Sequence, residues 1–210
     1  NKDLVKAINV KSLNQVPSSI ENFKSALAKD SFGQHETLIQ LLSFGSRLNE
    51  SGEVSEEIKK SFYNLAVSEV DRYYENNPKD SRLNYVAGQY IAQSGNLDLS
   101  LKYFDEAIRL SPKKQSIYYA KIEVLLFMGK KEEALDLARY VYELNPNNDN
   151  FWNFYISFLS KAKELELQRK LIEESFQTGN GDRVIYLAKK GINDNMYTKN
   201  NSFSIASSNV

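Results

Sequence analysis

Pro78, Pro112 and Pro146 stand 34 residues apart, and Gly95 and Gly129, Leu101 and Leu135, and Leu110 and Leu144 keep the same interval. A period of this length constrains the chain more than any other feature. Each period has to be one supersecondary unit that buries its apolar face by stacking on its neighbours. Proline cannot continue a helix and pushes the residue before it out of the helical region, so each unit stops on schedule. Gly95 and Gly129 fall midway between the prolines, where a turn between two helices often needs a positive φ. The reading is all-α, with two antiparallel helices per period.

The residue types within the period agree. In the unit 81–114, Gly88 takes the small site on the first helix, and Phe104, Ala107 and Pro112 take aromatic, small and terminating sites on the second. In 115–148, Ala134 and Pro146 recur while Ile122 stands in place of the glycine. In 149–182, Trp152 leads, and both the small residues and the proline are lost. These units resemble tetratricopeptide (TPR) repeats, and the resemblance implies a right-handed TPR solenoid of antiparallel helix pairs. Small residues matter because helices cross closely only where a side chain leaves room for large neighbours. Leu at Gly88 is therefore expected to overpack the crossing.

Upstream the register shifts. Gly45 and Gly52 repeat the seven-residue interval of Gly88 and Gly95, yet Gly45 and Gly88 are 43 residues apart, nine more than one period. The second helix is expected to absorb them, since Ile58, Phe62, Leu65, Ala66, Val70 and Tyr73 keep helical spacing and imply one long helix near 55–76 that projects beyond the solenoid. Before it, 17–30 reads as a second helix with Ile20, Phe23 and Leu27 on one face, and its partner near 3–10 is short. The expected organisation is a single repeat domain over 1–192, with units at about 1–33, 34–80, 81–114, 115–148 and 149–182 and a closing helix over 183–192. Residues 193–210, rich in Asn and Ser, read as a poorly ordered tail. The chain begins at Asn1 with no leader-like segment, and is taken as a piece of a longer protein.

Composition narrows the function. The chain carries 27 Lys+Arg against 27 Asp+Glu, which disfavours a general nucleic-acid binder. Its longest apolar runs, such as 124–128, fall far short of a membrane span. There is no cysteine, so thiolate nucleophiles, disulfides and Cys-based zinc sites are excluded. The one histidine, His35, precedes the helix of Leu38, Leu41 and Leu42 and reads as a solvent-exposed residue near a helix start. No phosphate-cradling, nucleophile-elbow or zinc-protease motif occurs. Glu132, Glu133, Glu164, Glu166, Glu173 and Glu174 lie among Lys130, Lys131, Lys161, Lys163, Arg169 and Lys170, the pattern of a solvated helical face rather than an acid–base pair. The chain is read as non-catalytic, with no metal site and no cofactor.

Binding is the better expectation. Helical spacing places Arg82, Tyr85, Gln89 and Gln93 on one stripe, then Ser116, Tyr119, Glu123 and Phe127, then Asn150, Asn153 and Ser157. Tyr85, Tyr119 and Asn153 are 34 apart and are expected to form a ladder. Aromatic rings beside amides and hydroxyls suit a protein or peptide partner, and also a glycan. The TPR subclass that clamps C-terminal carboxylates with Lys and Asn is not matched, because Tyr85 and Gln89 occupy those places. Other aromatics, including Tyr103, Phe104, Tyr140 and Tyr142, are expected on repeat-packing faces.

One stretch is more distinctive. Phe23-Lys24-Ser25-Ala26-Leu27-Ala28-Lys29-Asp30-Ser31-Phe32-Gly33, followed by Asn76-Asn77-Pro78, Gly95-Asn96, Tyr103 to Ile108 and Leu110-Ser111-Pro112-Lys113-Lys114-Gln115-Ser116-Ile117-Tyr118, resembles the soluble TPR tail of O-antigen ligase and polymerase-like bacterial membrane proteins. The likeness runs over about 18–130 and includes the nine-residue insertion. It implies a membrane-embedded parent, a place on the extracytoplasmic side of the inner membrane and a role in glycan assembly. The alternative is a stand-alone cytosolic TPR adaptor. No catalytic residue carries over, because that group's essential residues lie in membrane parts absent here.

Overall fold

The computed structural model describes residues 2–9, 15–29 and 33–182. Among them are ten helices and no strand: α1 Lys2–Ile8, α2 Val16–Ala28, α3 Gln34–Glu50, α4 Glu56–Asn76, α5 Ser81–Gln93, α6 Leu97–Leu110, α7 Gln115–Phe127, α8 Lys131–Glu143, α9 Asp149–Lys161 and α10 Leu165–Gln177. They pack as consecutive antiparallel pairs. The closing helix expected over 183–192 and the tail over 193–210 lie outside the described residues.

The chain divides into two compact units. The first runs through Lys114 and holds α1 to α6; the second begins at Gln115 and holds α7 to α10. In the first unit, Phe23 of α2, Phe44 of α3 and Phe62 of α4 form a ring cluster with centroids 5.4–6.2 Å apart, the Phe23 and Phe62 rings edge-on. Small residues let the pairs close. An added Cβ on Gly45 would lie 2.6 Å from the ring of Tyr90 in α5, and one on Gly88 would lie 2.8 Å from that of Phe104 in α6. Both rings are fully buried, so neither can move aside. In the second unit, Ile122, Ala134, Ala138, Trp152 and Leu159 are the sealed interior.

The extra nine residues between Gly45 and Gly88 are only partly taken up by the second helix. The turn of residues 51–55 has five residues where 94–96 has three, and α4 has 21 residues where α6 has 14. Seven residues are two helical turns short of full registry by about 20°, so α4 lengthens while keeping its apolar stripe on one face.

Local chemistry sets the starts and stops. Side chains of Ser55, Asp80, Asn96 and Asn148 cap α4, α5, α6 and α9, accepting from backbone N–H groups in the first turn at 2.9–3.5 Å. The turns after α5, α7 and α9 share one closure. The N–H groups of Asn96, Lys130 and Glu164 reach back five residues to the carbonyls of Ile91, Leu125 and Leu159 at 2.8–3.1 Å. The residue before each has positive φ: Gly95 at 88°, Gly129 at 75° and, in the third turn, Lys163 at 60°.

Two expectations about side chains need correction. Tyr140 is 48% exposed, because α8 buries Ala134, Ala138 and Val141 and leaves Tyr140 beside the stripe, against Tyr118 at 6.1 Å. His35 is half-buried, and its Nε2 lies 2.6 Å from Asp80 Oδ2, the same carboxylate whose other oxygen caps α5. Asp80 follows Pro78 at the unit junction, and the approach of α5 to α3 brings it onto the first turn of α3.

Candidate functional site

The first helices α5, α7 and α9 carry a stripe spaced i, i+3, i+7, i+11, and α3 one spaced i, i+4, i+7, i+11, that is neither wholly buried nor wholly exposed. On α5 the stripe is Arg82, Tyr85, Gln89 and Gln93: Arg82 is exposed and the other three are half-buried. Most of the rest of α5 is interior, including Leu83, Ala87, Tyr90 and Ile91, with Ser81 and Val86 half-buried. Packing thus consumes one side of the helix and leaves this stripe in contact with solvent. The matching stripe on α3 is Glu36, Gln40, Ser43 and Arg47.

Three contacts fix how α3 and α5 lie. The Arg82 guanidinium is 3.6 Å from the Glu36 carboxylate, Gly45 faces Tyr90, and Asn49 Nδ2 donates to Ser94 Oγ at 2.9 Å. All are offset by 45 or 46 residues, which sets Gln40 level with Tyr85 and Arg47 level with Gln93. Gln40 donates to Glu36 at 2.9 Å. The Arg47 guanidinium lies over the Phe44 ring at 5.2 Å, and the Lys114 ammonium lies over the Tyr85 ring at 6.0 Å. Tyr85 also packs at 6.3 Å from Phe104. The buried Gln93 Oε1 accepts no hydrogen bond.

In the second unit the corresponding stripe on α7 holds Ser116, Tyr119, Glu123 and Phe127. Tyr119 stacks on Phe154 of α9 at 3.8 Å with rings nearly parallel. Glu123 is largely covered, and burial pushes its carboxyl above the usual range, partly offset by the Lys161 ammonium at 3.7 Å. Phe127 stands 58% exposed at the end of α7. Asn153 of α9 is half-buried, with its Oδ1 buried and accepting no hydrogen bond. Lys131 joins Glu164 at 2.6 Å between the starts of α8 and α10. The structure thus brings Arg82, Tyr85, Gln89 and Gln93 onto one face of the first unit, and Tyr119 and Glu123 onto the α9 side of the second.

Sequence reading missed Arg47, Lys114 and Lys161. Lys161 was visible as the residue 34 after Phe127, and Arg47 as the fourth member of the α3 stripe. Lys114 carried no such signal, since it lies in a linker and reaches Tyr85 only through the fold. Among the described residues, no three or more His, Cys, Asp or Glu side chains converge as a metal site would need, and no helix is long and apolar enough to cross a membrane.

The architecture is that of the TPR fold: antiparallel helix pairs at a 34-residue spacing, closed by a common turn, with a first-helix face left open. Solved structures show the same arrangement. MamA, a TPR protein, is similar with a TM-score of 0.54 at 15% identity, the match covering 84% of this chain and 92% of that one. A second MamA structure, marked AMB-1, gives 0.51 at 12% identity over 86% of this chain and 96% of the other. At these identities the likeness establishes the fold alone. No family model matches the chain. No curated protein matches it in sequence.

Proposed function

We propose that this chain is a non-catalytic TPR interaction domain that holds a protein or peptide partner on its first-helix faces. The observation that carries the reading is the α5 stripe. Tyr85, Gln89 and Gln93 are half-buried and keep some contact with solvent while Leu83, Ala87, Tyr90 and Ile91 are packed away, so a ring and polar side chains border solvent on a rigid support. Such a surface supplies apolar contact and hydrogen bonds together, at little cost in ordering the support. Arg82, Tyr119, Glu123, Phe127 and Asn153 extend the candidate set, and a glycan is the second ligand class it would take. Titration of candidate partners with residue-resolved NMR tests this: shifts at Tyr85, Gln89 and Tyr119 are expected. Shifts confined to second-helix residues such as Lys102 and Arg139 would overturn it.

The finer reading is that the domain is the extracytoplasmic tail of an O-antigen ligase-like membrane protein and holds a partner or glycan-bearing substrate near the membrane enzyme. The run from Phe23 to Gly33 and the nine-residue insertion support it. A stand-alone cytosolic adaptor is the alternative, favoured by the TPR fold without reference to that run. The coding sequence upstream of Asn1 separates the two. Several apolar segments of about 20 residues are expected for the membrane parent, and a nearby start codon with none would overturn it.

A further inference from the structure

We infer that the α3–α5 face of the first unit selects an acidic peptide, bound extended, with two carboxylates about four residues apart. The inference rests on the proposed peptide-binding role of that face and adds the chemistry of the partner. The chain as a whole has no net charge, yet two cations border this face in a particular state. Arg47 is held over Phe44 and Lys114 over Tyr85, and neither pairs with a carboxylate among the described residues. Contact with a ring restrains a cation without neutralising it, so both are presented ready to take an anion.

Glu36 is engaged by Arg82 and Gln40. Glu50 is exposed at the turn end of α3, beyond Arg47. The second-unit stripe differs, because its charges Glu123 and Lys161 already face each other at 3.7 Å.

Spacing gives the ligand's geometry. Lys114 lies at the level of Tyr85 and Arg47 at the level of Gln93, eight residues further along α5, or roughly 12 Å at the helical rise; with α3 and α5 side by side the two cations are about 15 Å apart, a gap the long side chains of Arg, Lys and Glu help to close. An extended chain covers about 13 Å in four residues, and side chains i and i+4 point the same way. Two carboxylates so placed reach both cations in one pose. Between them, Gln40 and Gln89 offer amides to the peptide backbone.

The test uses three synthetic peptides, acetyl-GSESSSESG-amide and its counterparts with Gln or Lys at both Glu positions. They are titrated into the whole chain at low salt and followed by the Tyr85 ring and the Gln89 and Gln93 side-chain amides. The acidic peptide alone is expected to give saturable shifts, weakening as salt is added. The double variant Arg47→Gln/Lys114→Gln should weaken it at least tenfold, and Arg47→Glu/Lys114→Glu should transfer the preference to the Lys peptide. Both pairs are exposed, and an unchanged far-UV dichroism spectrum verifies that the variants fold. Equal shifts from the Gln or Lys peptide would overturn the acidic preference while leaving peptide binding by this face intact. Shifts from a uronic-acid oligosaccharide but from no peptide would overturn it in favour of a glycan, and silence at Tyr85 with every ligand would overturn both readings.

Discussion

Single residues decide where this chain is tight and where it is strained. Gly88 was legible from the repeat, and the structure shows what its missing side chain makes room for, the Phe104 ring. Gly88→Leu is expected to destabilise the fold by about 3 kcal/mol, because the added atoms must displace a fully buried ring. Urea unfolding of the variant beside the native chain measures this. Lys163 is the opposite case. It closes the α9–α10 turn in the geometry that Gly95 and Gly129 adopt freely, and a left-handed backbone costs a non-glycine residue about 1 kcal/mol. Lys163→Gly should therefore raise the urea midpoint, a gain of up to about 1 kcal/mol. The 34-residue spacing placed Lys163 at that turn, but its side chain gave no sign that the turn would be kept.

At the scale of elements, the helices end where their caps allow. Asp80 has two tasks, since Oδ1 accepts from Leu83 N–H at the start of α5 while Oδ2 faces His35 at the start of α3. Asp80→Ala is expected to lower stability by about 1–2 kcal/mol and to speed hydrogen exchange at the first-turn amides of α5. Asp80→Asn should restore protection there, because an amide oxygen caps as a carboxylate does. The capping half of this was readable, as Asp80 precedes a helical run. The His35 contact joins residues 45 apart and depends on how α5 approaches α3. Helix α4 shows the same division. Its apolar periodicity gave its length and face, whereas the five-residue turn before it follows from how α3 and α4 meet.

Across the molecule, the first unit concentrates phenols that resist ionisation. Burial pushes Tyr74, Tyr90 and Tyr103 well above the ordinary tyrosine value, helped by the Asp80 charge at Tyr74 and the Asp71 charge at Tyr103, while a Ser94 hydrogen bond partly offsets it at Tyr90. The folded chain keeps these protons where the unfolded chain has lost them. Their contribution is therefore whole below about pH 10 and falls as pH rises above it. Alkaline unfolding is expected to coincide with tyrosinate absorbance, in one transition steeper than a single proton would give. Tyr90→Phe removes a deeply buried hydroxyl whose ionisation burial opposes, and should move that transition to higher pH. By itself the sequence determined the helix-pair repeat, the stop signals, the long α4 and the positions of the α5, α7 and α9 stripes, because all of these follow from periodicity and backbone preference within one period. Only the tertiary structure decided that Arg47 and Lys114 border one face, that Asp80 serves two helices and that Tyr140 stays exposed. Those depend on the rotation and offset at which helices pack, which are set by side-chain volumes meeting from distant parts of the chain.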